Sequence, residues 1–287
     1  MAGSARLIRR RIKSVSNTKK ITKAMELVSA AKMRRAVAAA TSARRYASLG
    51  RELLASLAAH GVTIDHTFFR QPSGKGKALC IVITSDRGLC GAYNVQLMRA
   101  VELGMARFTN VEYVTVGKYG DQTLRRTGKT VIASFPGLTN QPRAASVRPI
   151  VSLATNEFVS GTYERVFIAS TEFRSALRQV PQVSELLPLA APADATSSGL
   201  SEDALFEPNP VEVLTYALPR FIEAAAYQAV LEAAASEHSA RMMSMRSATD
   251  AASDMLDDLT FTLNQARQSA ITSEIAEISA GRAALEG

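Results

Sequence analysis

The sequence contains no tryptophan, and aromatic residues make up only 6% of its 287 positions. A core built this way must rest on aliphatic side chains and on helices that approach closely enough for alanine to fill the space between them. Two cysteines, Cys80 and Cys90, are too few for a disulfide framework and read as free thiols of a reducing compartment. The three histidines, His60, His66 and His238, are scattered. None stands at metal-ligand spacing from another histidine, a cysteine or an acidic cluster, so all three read as surface or structural. No apolar run approaches the ~20 residues that span a bilayer. The opening residues lead into charge, not into the apolar stretch of a secretory signal. The expectation is a soluble or peripheral protein.

Glycine and proline are missing where their absence matters most. Neither occurs from Ser4 to Leu49, a span of about 70 Å as one helix. Ile8, Ile12 and Val15 recur at helical steps there, as do Ile21, Met25 and Val28, and Tyr46, Leu49, Leu53 and Leu57 continue after an Ala-rich stretch. Arg220 to Ala280 is equally free of both residues and allows a helix of about 90 Å. Within it Met242, Met245, Thr249, Ala252, Leu256, Leu259, Leu263, Ala266 and Ala270 alternate steps of three and four, the heptad seam of a coiled coil. The two ends are expected to pair as an antiparallel coiled coil, residues 1–60 with residues 209–287.

Between them the pattern changes. Ala78–Thr84 is a wholly apolar run, as expected of a strand covered on both faces. A turn at Ser85–Gly91 leads to helical spacing at Val95, Met98, Val101, Leu103 and Met105. Strands are expected at Val111–Val116, Val131–Phe135, Arg165–Ser170 and within Arg174–Leu187, and helices at Tyr119–Thr127 and Ala144–Val159. The alternation implies an inserted, Rossmann-like α/β domain over residues 75–190 with a parallel sheet. Pro188 to Pro210, rich in Pro, Ala and Ser, reads as the linker to the last helix.

Candidate chemistry is thin. Thr127-Gly128-Lys129-Thr130 looks like the tail of a phosphate-binding loop, but the glycine required five positions before Gly128 is Thr123, and the segment leads into a strand. Ser73–Lys77 reads as a flexible solvated loop. Asp86-Arg87-Gly88-Leu89-Cys90-Gly91 occupies a strand-to-helix turn, where ligands bind in such folds, yet lacks the glycine fingerprint. It reads as a tight turn with glycines at positive φ and with Asp86 capping or pairing with Arg87. Cys90 has no basic partner in sequence to activate it, and no carboxylate pair suggests acid–base work. Asp254, Asp257 and Asp258 read as a solvated outer face.

Charge is unevenly spread. Residues 1–60 carry fourteen Lys and Arg against two acids, whereas residues 209–287 carry five Arg against eleven acids. A basic segment of this kind meets something acidic: the C-terminal segment, a protein partner, nucleic acid or a membrane surface. It also has the composition of an organellar transit peptide, but its helical pattern runs unbroken to Leu57. Stacking aromatics of the kind nucleic-acid binders use are absent apart from Tyr46.

Three motifs in order then carry a resemblance. They are Ile12-Lys13-Ser14-Val15 with Asn17–Met25 and Ser29–Arg35; Thr84–Gly91; and Ala266–Ile275 with Glu277-Ile278. The sequence closely resembles the γ subunit of F-type ATP synthase over essentially its whole length. That resemblance implies a non-catalytic rotor shaft within a ring of α and β subunits. Its foot domain would touch the ε subunit and the ring of c subunits. Proton flow through the c ring would be coupled to ATP synthesis or hydrolysis on β. No cofactor is implied on this chain; Mg-ATP or ADP would sit on the α and β partners. Lys23 and Met25, with Arg267 and Gln268 on the facing helix, match positions that meet an acidic loop of β. Leu205, Phe206 and Glu207 match the region that meets the c ring and ε foot. Arg282 stands where the family usually has a small residue after the glycine of its terminal motif. The plant-type inserted loop with its cysteine pair is absent. With no leader recognised, a bacterial protein peripheral to the cytoplasmic side of the inner membrane is expected. The rival is a coiled-coil nucleic-acid-binding or scaffold protein.

Overall fold

The computed structural model describes residues 2–59, 67–74, 76–189 and 210–286. Leu205, Phe206, Glu207, His60 and His66 lie outside the described residues. Helix α1 spans Ala2–Ala59, and a short 3-10 turn covers Thr67–Phe69. Strand β1 (Lys77–Ile83), α2 (Tyr93–Met105), β2 (Val111–Val116), α3 (Lys118–Arg126) and β3 (Val131–Phe135) follow. After a 3-10 turn at Leu138–Asn140 come α4 (Ala144–Val159), β4 (Tyr163–Phe173) and β5 (Gln179–Leu187). Helix α5 runs from Pro210 to Glu286. The expected architecture of long terminal helices around an α/β domain is present.

Packing divides the chain into two compact units, residues 30–241 and residues 1–29 with 242–287. In the first, the sheet order is β3-β2-β1-β4-β5. The first four strands are parallel and β5 pairs antiparallel to β4. Strand β1 is apolar on both faces because both are covered. Leu79, Ile81 and Ile83 join α4 and Leu218, Ile222, Ala226, Val230 and Ala233 of α5 in one core. Ala78, Cys80 and Val82 point the other way, toward Leu97, Val101, Met105 and Leu124 of α2 and α3. Each fully buried Leu, Ile or Val side chain among these contributes about 1.5–3 kcal/mol. The thiols of Cys80 and Cys90 are free and buried, and burial pushes Cys80 up to about 12. Arg174–Leu187 is a strand only from Gln179, since Arg174 and Ser175 donate their N–H groups to the Arg178 carbonyl in a tight turn.

In the second unit the heptad seam of α5 is the less exposed face, with Met245, Thr249 and Ala252 buried. On α1 the seam runs Ile8, Ile12, Val15, Lys19, Thr22, Glu26 and Ser29. Ile21 and Val28 are outside it, 61% and 55% exposed. Counting heptads from Ile8, Ile12 and Val15 reaches residues 19 and 22, so the apolar positions at 21 and 28 are one residue off the buried line. The seam is polar at its middle: the Thr249 and Thr22 hydroxyls share a 2.8 Å hydrogen bond. A buried hydroxyl pair of this kind specifies register at the expense of apolar contact.

Gly117 marks the tightest approach in the α/β unit. Its φ is +93°, and a Cβ there would lie 2.2 Å from the Thr84 carbonyl oxygen. Gly117→Ala is expected to destabilise the chain by about 3 kcal/mol or more, read as a lowered urea midpoint at unchanged slope.

Candidate functional site

In an open parallel sheet, ligands bind beyond the carboxyl ends of the strands, where the strand order reverses. Here the order reverses between β1 and β4. That position is taken by α5. The Tyr93 hydroxyl, at the start of α2, donates to the Ala233 carbonyl at 3.3 Å. The Ser236 hydroxyl donates to the Thr171 carbonyl near the end of β4 at 3.1 Å. The Ser239 hydroxyl donates to the Ala176 carbonyl in the β4–β5 turn at 2.8 Å.

The amides that would hold a phosphate are used by the chain as well. At the N-terminus of α3, Lys118 donates its N–H to Asp86 Oδ1 at 3.2 Å, Tyr119 to the Ser85 carbonyl at 3.1 Å and Gly120 to Thr84 Oγ1 at 2.8 Å. The other Asp86 oxygen accepts the Gly137 N–H at 2.9 Å. Asp86 therefore caps α3 and ties down a neighbouring turn instead of pairing with Arg87. A carboxylate sits where a helix N-terminus favours negative charge. Thr127–Thr130 is the C-terminal cap of α3: Gly128 has φ +73° and donates to the Arg125 carbonyl at 3.0 Å, and Lys129 donates to the Leu124 carbonyl at 2.9 Å. The Ser73 loop is held by Glu164, which accepts the Ser73 hydroxyl and the Gly74 N–H.

The 84–91 turn is fixed from below by α5. The Arg241 guanidinium donates to the Arg87 carbonyl at 2.9 Å and to the Gly88 carbonyl at 3.3 Å. It also pairs with Glu237 at 2.8 Å, with both residues buried. Burial pushes the Glu237 carboxyl up despite that partner. Ser85 and Asn94 complete the turn through a 2.7 Å side-chain hydrogen bond. Gly91 takes the expected positive φ, but Gly88 does not; Leu89 adopts φ +61° in its place and is 60% exposed. His238 is buried beside this cluster, its Nδ1 3.4 Å from the Arg241 guanidinium. Burial first, then Arg241 and Lys32 of α1, push its imidazole down to about 4.

In the coiled-coil unit, Lys23 is exposed and pairs with Glu26 at 2.9 Å, and Met25 is half-buried. Arg267 and Gln268 are exposed beside the seam residue Ala266. The Thr22–Thr249 bond sets the levels. Arg267 is eighteen positions beyond Thr249, so it lies about 27 Å along the axis from the level of Thr22. The residue opposite Met25 in this register is Arg246, which is exposed. The four sequence-derived positions thus form two separate levels. Counted outward, the register places Ser269 opposite Ala2, and α5 beyond it presents Ile271, Ile275 and Ile278 at 45%, 59% and 73% exposure. Among the described residues, no ion pair joins the basic first turns of α1 to Asp250, Asp254, Asp257 or Asp258; the α1–α5 pair is Arg44–Glu232 at 2.8 Å. The basic face of the coiled coil is directed outward.

The family model described as ATP synthase matches residues 4–285. The ATP synthase gamma chain of Herpetosiphon aurantiacus is 43% identical over 297 residues, covering 98% of this chain and 99% of the relative. The gamma chain of Pelotomaculum thermopropionicum is 41% identical over 286 residues, covering 99% of both. The chain belongs to the ATP synthase gamma-chain family. The gamma-chain fold extends to distant solved structures. A chain of the Euglena gracilis mitochondrial ATP synthase in rotational state 3 has a TM-score of 0.69 at 18% identity, over 99% of this chain and 95% of that one. One from the central stalk and c ring of the Tetrahymena thermophila enzyme has a TM-score of 0.61 at 24% identity, over 79% of this chain and 99% of that one.

Within this gamma-chain architecture, sequence reasoning missed Tyr93, Ser236, Ser239, Arg241 and Arg246. The pair Glu237 and Arg241, spaced i,i+4 inside an otherwise Ala-rich helix, was the available signal. Among the described residues no group of three metal-binding side chains occurs, and no helix is long and apolar enough to cross a membrane.

His238 gives a pH dependence. Its folded-state value of about 4 lies below the ordinary 6.5, so the unfolded chain binds the proton more tightly. The neutral imidazole's contribution is complete above pH 6.5 and is lost as pH falls toward 4. Thermal midpoints should fall over that window, and His238→Gln should flatten that part of the curve.

Proposed function

We propose that this chain is the central rotor shaft of an F-type ATP synthase, turning inside a ring of α and β subunits. It has no catalytic role of its own. The observation that carries this reading is that the ligand crevice of the α/β unit is filled by a helix of the chain itself, one that continues to residue 286. That arrangement suits a mechanical part. Proton flow through the c ring turns the shaft, and its uneven outer face drives the β sites through their states. Mg-ATP and ADP bind on the α and β subunits. The α/β unit meets the ε subunit and the c ring, with Leu205, Phe206 and Glu207 in that contact. The chain is peripheral to the cytoplasmic side of a bacterial inner membrane, held there by its partners.

Lys23 and Met25, with Arg246 at the same level, meet an acidic loop of β. Arg267 and Gln268 form a second contact about 27 Å further along the shaft. The outward basic face favours acidic loops through charge-assisted hydrogen bonds. The exposed isoleucines near the end of α5 suit an apolar bearing.

Tagged chain purified from its host should bring down α and β subunits, and the chain alone should show no ATP turnover above background. Salt-sensitive nucleic-acid binding without those subunits would sink the proposal in favour of the scaffold reading. Met25→Lys places a new cation beside Arg246 and should lower protons pumped per ATP hydrolysed. An unchanged ratio in inverted vesicles would remove Met25 from the contact.

A further inference from the structure

Helix α5 buries large side chains where it enters the α/β unit, at Leu218 and Ile222, and mostly small ones further on, where it crosses the strand ends. Ala226, Ala233, Ala234 and Ala235 are fully buried, with Val230 and Leu231 between them. An alanine face interlocks less with its neighbours than larger side chains do, so over this stretch packing alone fixes the roll of the helix only loosely. Hydrogen bonds are directional and short-ranged. A roll of about 20° moves an atom lying about 4 Å from the axis by about 1.4 Å, enough to break one.

The polar contacts of α5 are placed to stop such a roll. Tyr93 holds the Ala233 carbonyl from α2, Ser236 holds the end of β4 through Thr171, and Ser239 holds the β4–β5 turn through Ala176. The Gln179 amide donates back to Ser239 at 3.4 Å. Both serines are fully buried and Tyr93 is 5% exposed, so water competes little for these bonds. With Arg241 on the 84–91 turn, the four anchors spread over roughly 200° of the helix circumference at 100° per residue. Each anchor reaches a different segment of the unit.

We infer that Tyr93, Ser236 and Ser239 are positioning residues that key α5 into the α/β unit, fixing its roll angle so that turning force passes between unit and helix without slip. This rests on the rotor reading and deepens it. The keys touch no nucleotide; they act by setting the angular phase of the helix.

The test uses assembled ATP synthase carrying Tyr93→Phe, Ser236→Ala and Ser239→Ala together. Each change removes a hydroxyl and little volume. Protons pumped per ATP hydrolysed are measured in inverted vesicles against increasing opposing proton gradients. The expected result is a ratio lower by about twofold or more, with the deficit growing as the load rises. A merely structural loss would reduce assembled enzyme without a load-dependent ratio. A ratio equal to wild type at every load overturns the inference. Should the triple variant fail to assemble, Tyr93→Phe and Ser236→Ala are read singly on the same criterion. Failure of the wild-type chain itself to assemble with α and β would count against the rotor reading and not against the key.

Discussion

The structure depends on one act of burial: α5 lies against the α4 face of the sheet and runs on across the carboxyl ends of its strands. Leu218, Ile222, Ala226, Val230 and Ala233 supply a core that α4 alone could not close. The same helix carries Ser236 to the end of β4, and Ser239 and the Glu237–Arg241 pair to the loops beyond the strands. Packing comes from the apolar stripe and orientation from the polar groups that follow it. Both depend on a chain without glycine or proline between Arg220 and Ala280.

Buried charge follows the same division. Arg241 and Glu237 are withdrawn from water, a loss that only close pairing and additional hydrogen bonds offset. The carbonyls of Arg87 and Gly88 supply those bonds to Arg241. Directly after those carbonyls, Leu89 adopts a left-handed backbone normally left to glycine or asparagine. A strained position in an exposed turn and a buried charge pair thus lie next to each other.

Much of this was legible in the sequence because it is periodic. The heptad of α5, the wholly apolar β1 and the alternation of strands and helices specify the architecture by themselves. The seam of α1 was less legible. Thr22 and Ser29 lie on the buried line while Ile21 and Val28 face out, the reverse of what hydrophobicity suggests. A helix with apolar groups on its exposed side as well as along its seam has two apolar faces, and residue type alone does not separate them. Levels along the shaft were illegible for a different reason. Only a register sets Arg246, not Arg267, opposite Met25, and that register rests on a hydroxyl pair between residues 22 and 249. The contacts of Tyr93, Ser236, Ser239 and Arg241 with their neighbouring segments end on backbone carbonyls, which carry no residue-type signal.

Asp86 has a consequence in terms of cellular chemistry. An anion covalently attached to the chain has an effective concentration set by the length of its tether, and no dilution removes it. A domain of this architecture that relied on a bound phosphate would change occupancy as metabolite levels rose and fell. Here the carboxylate that bonds Lys118 and Gly137 is always present. The shape of the unit is thereby insulated from the supply of nucleotide, in a family whose machinery makes and consumes it.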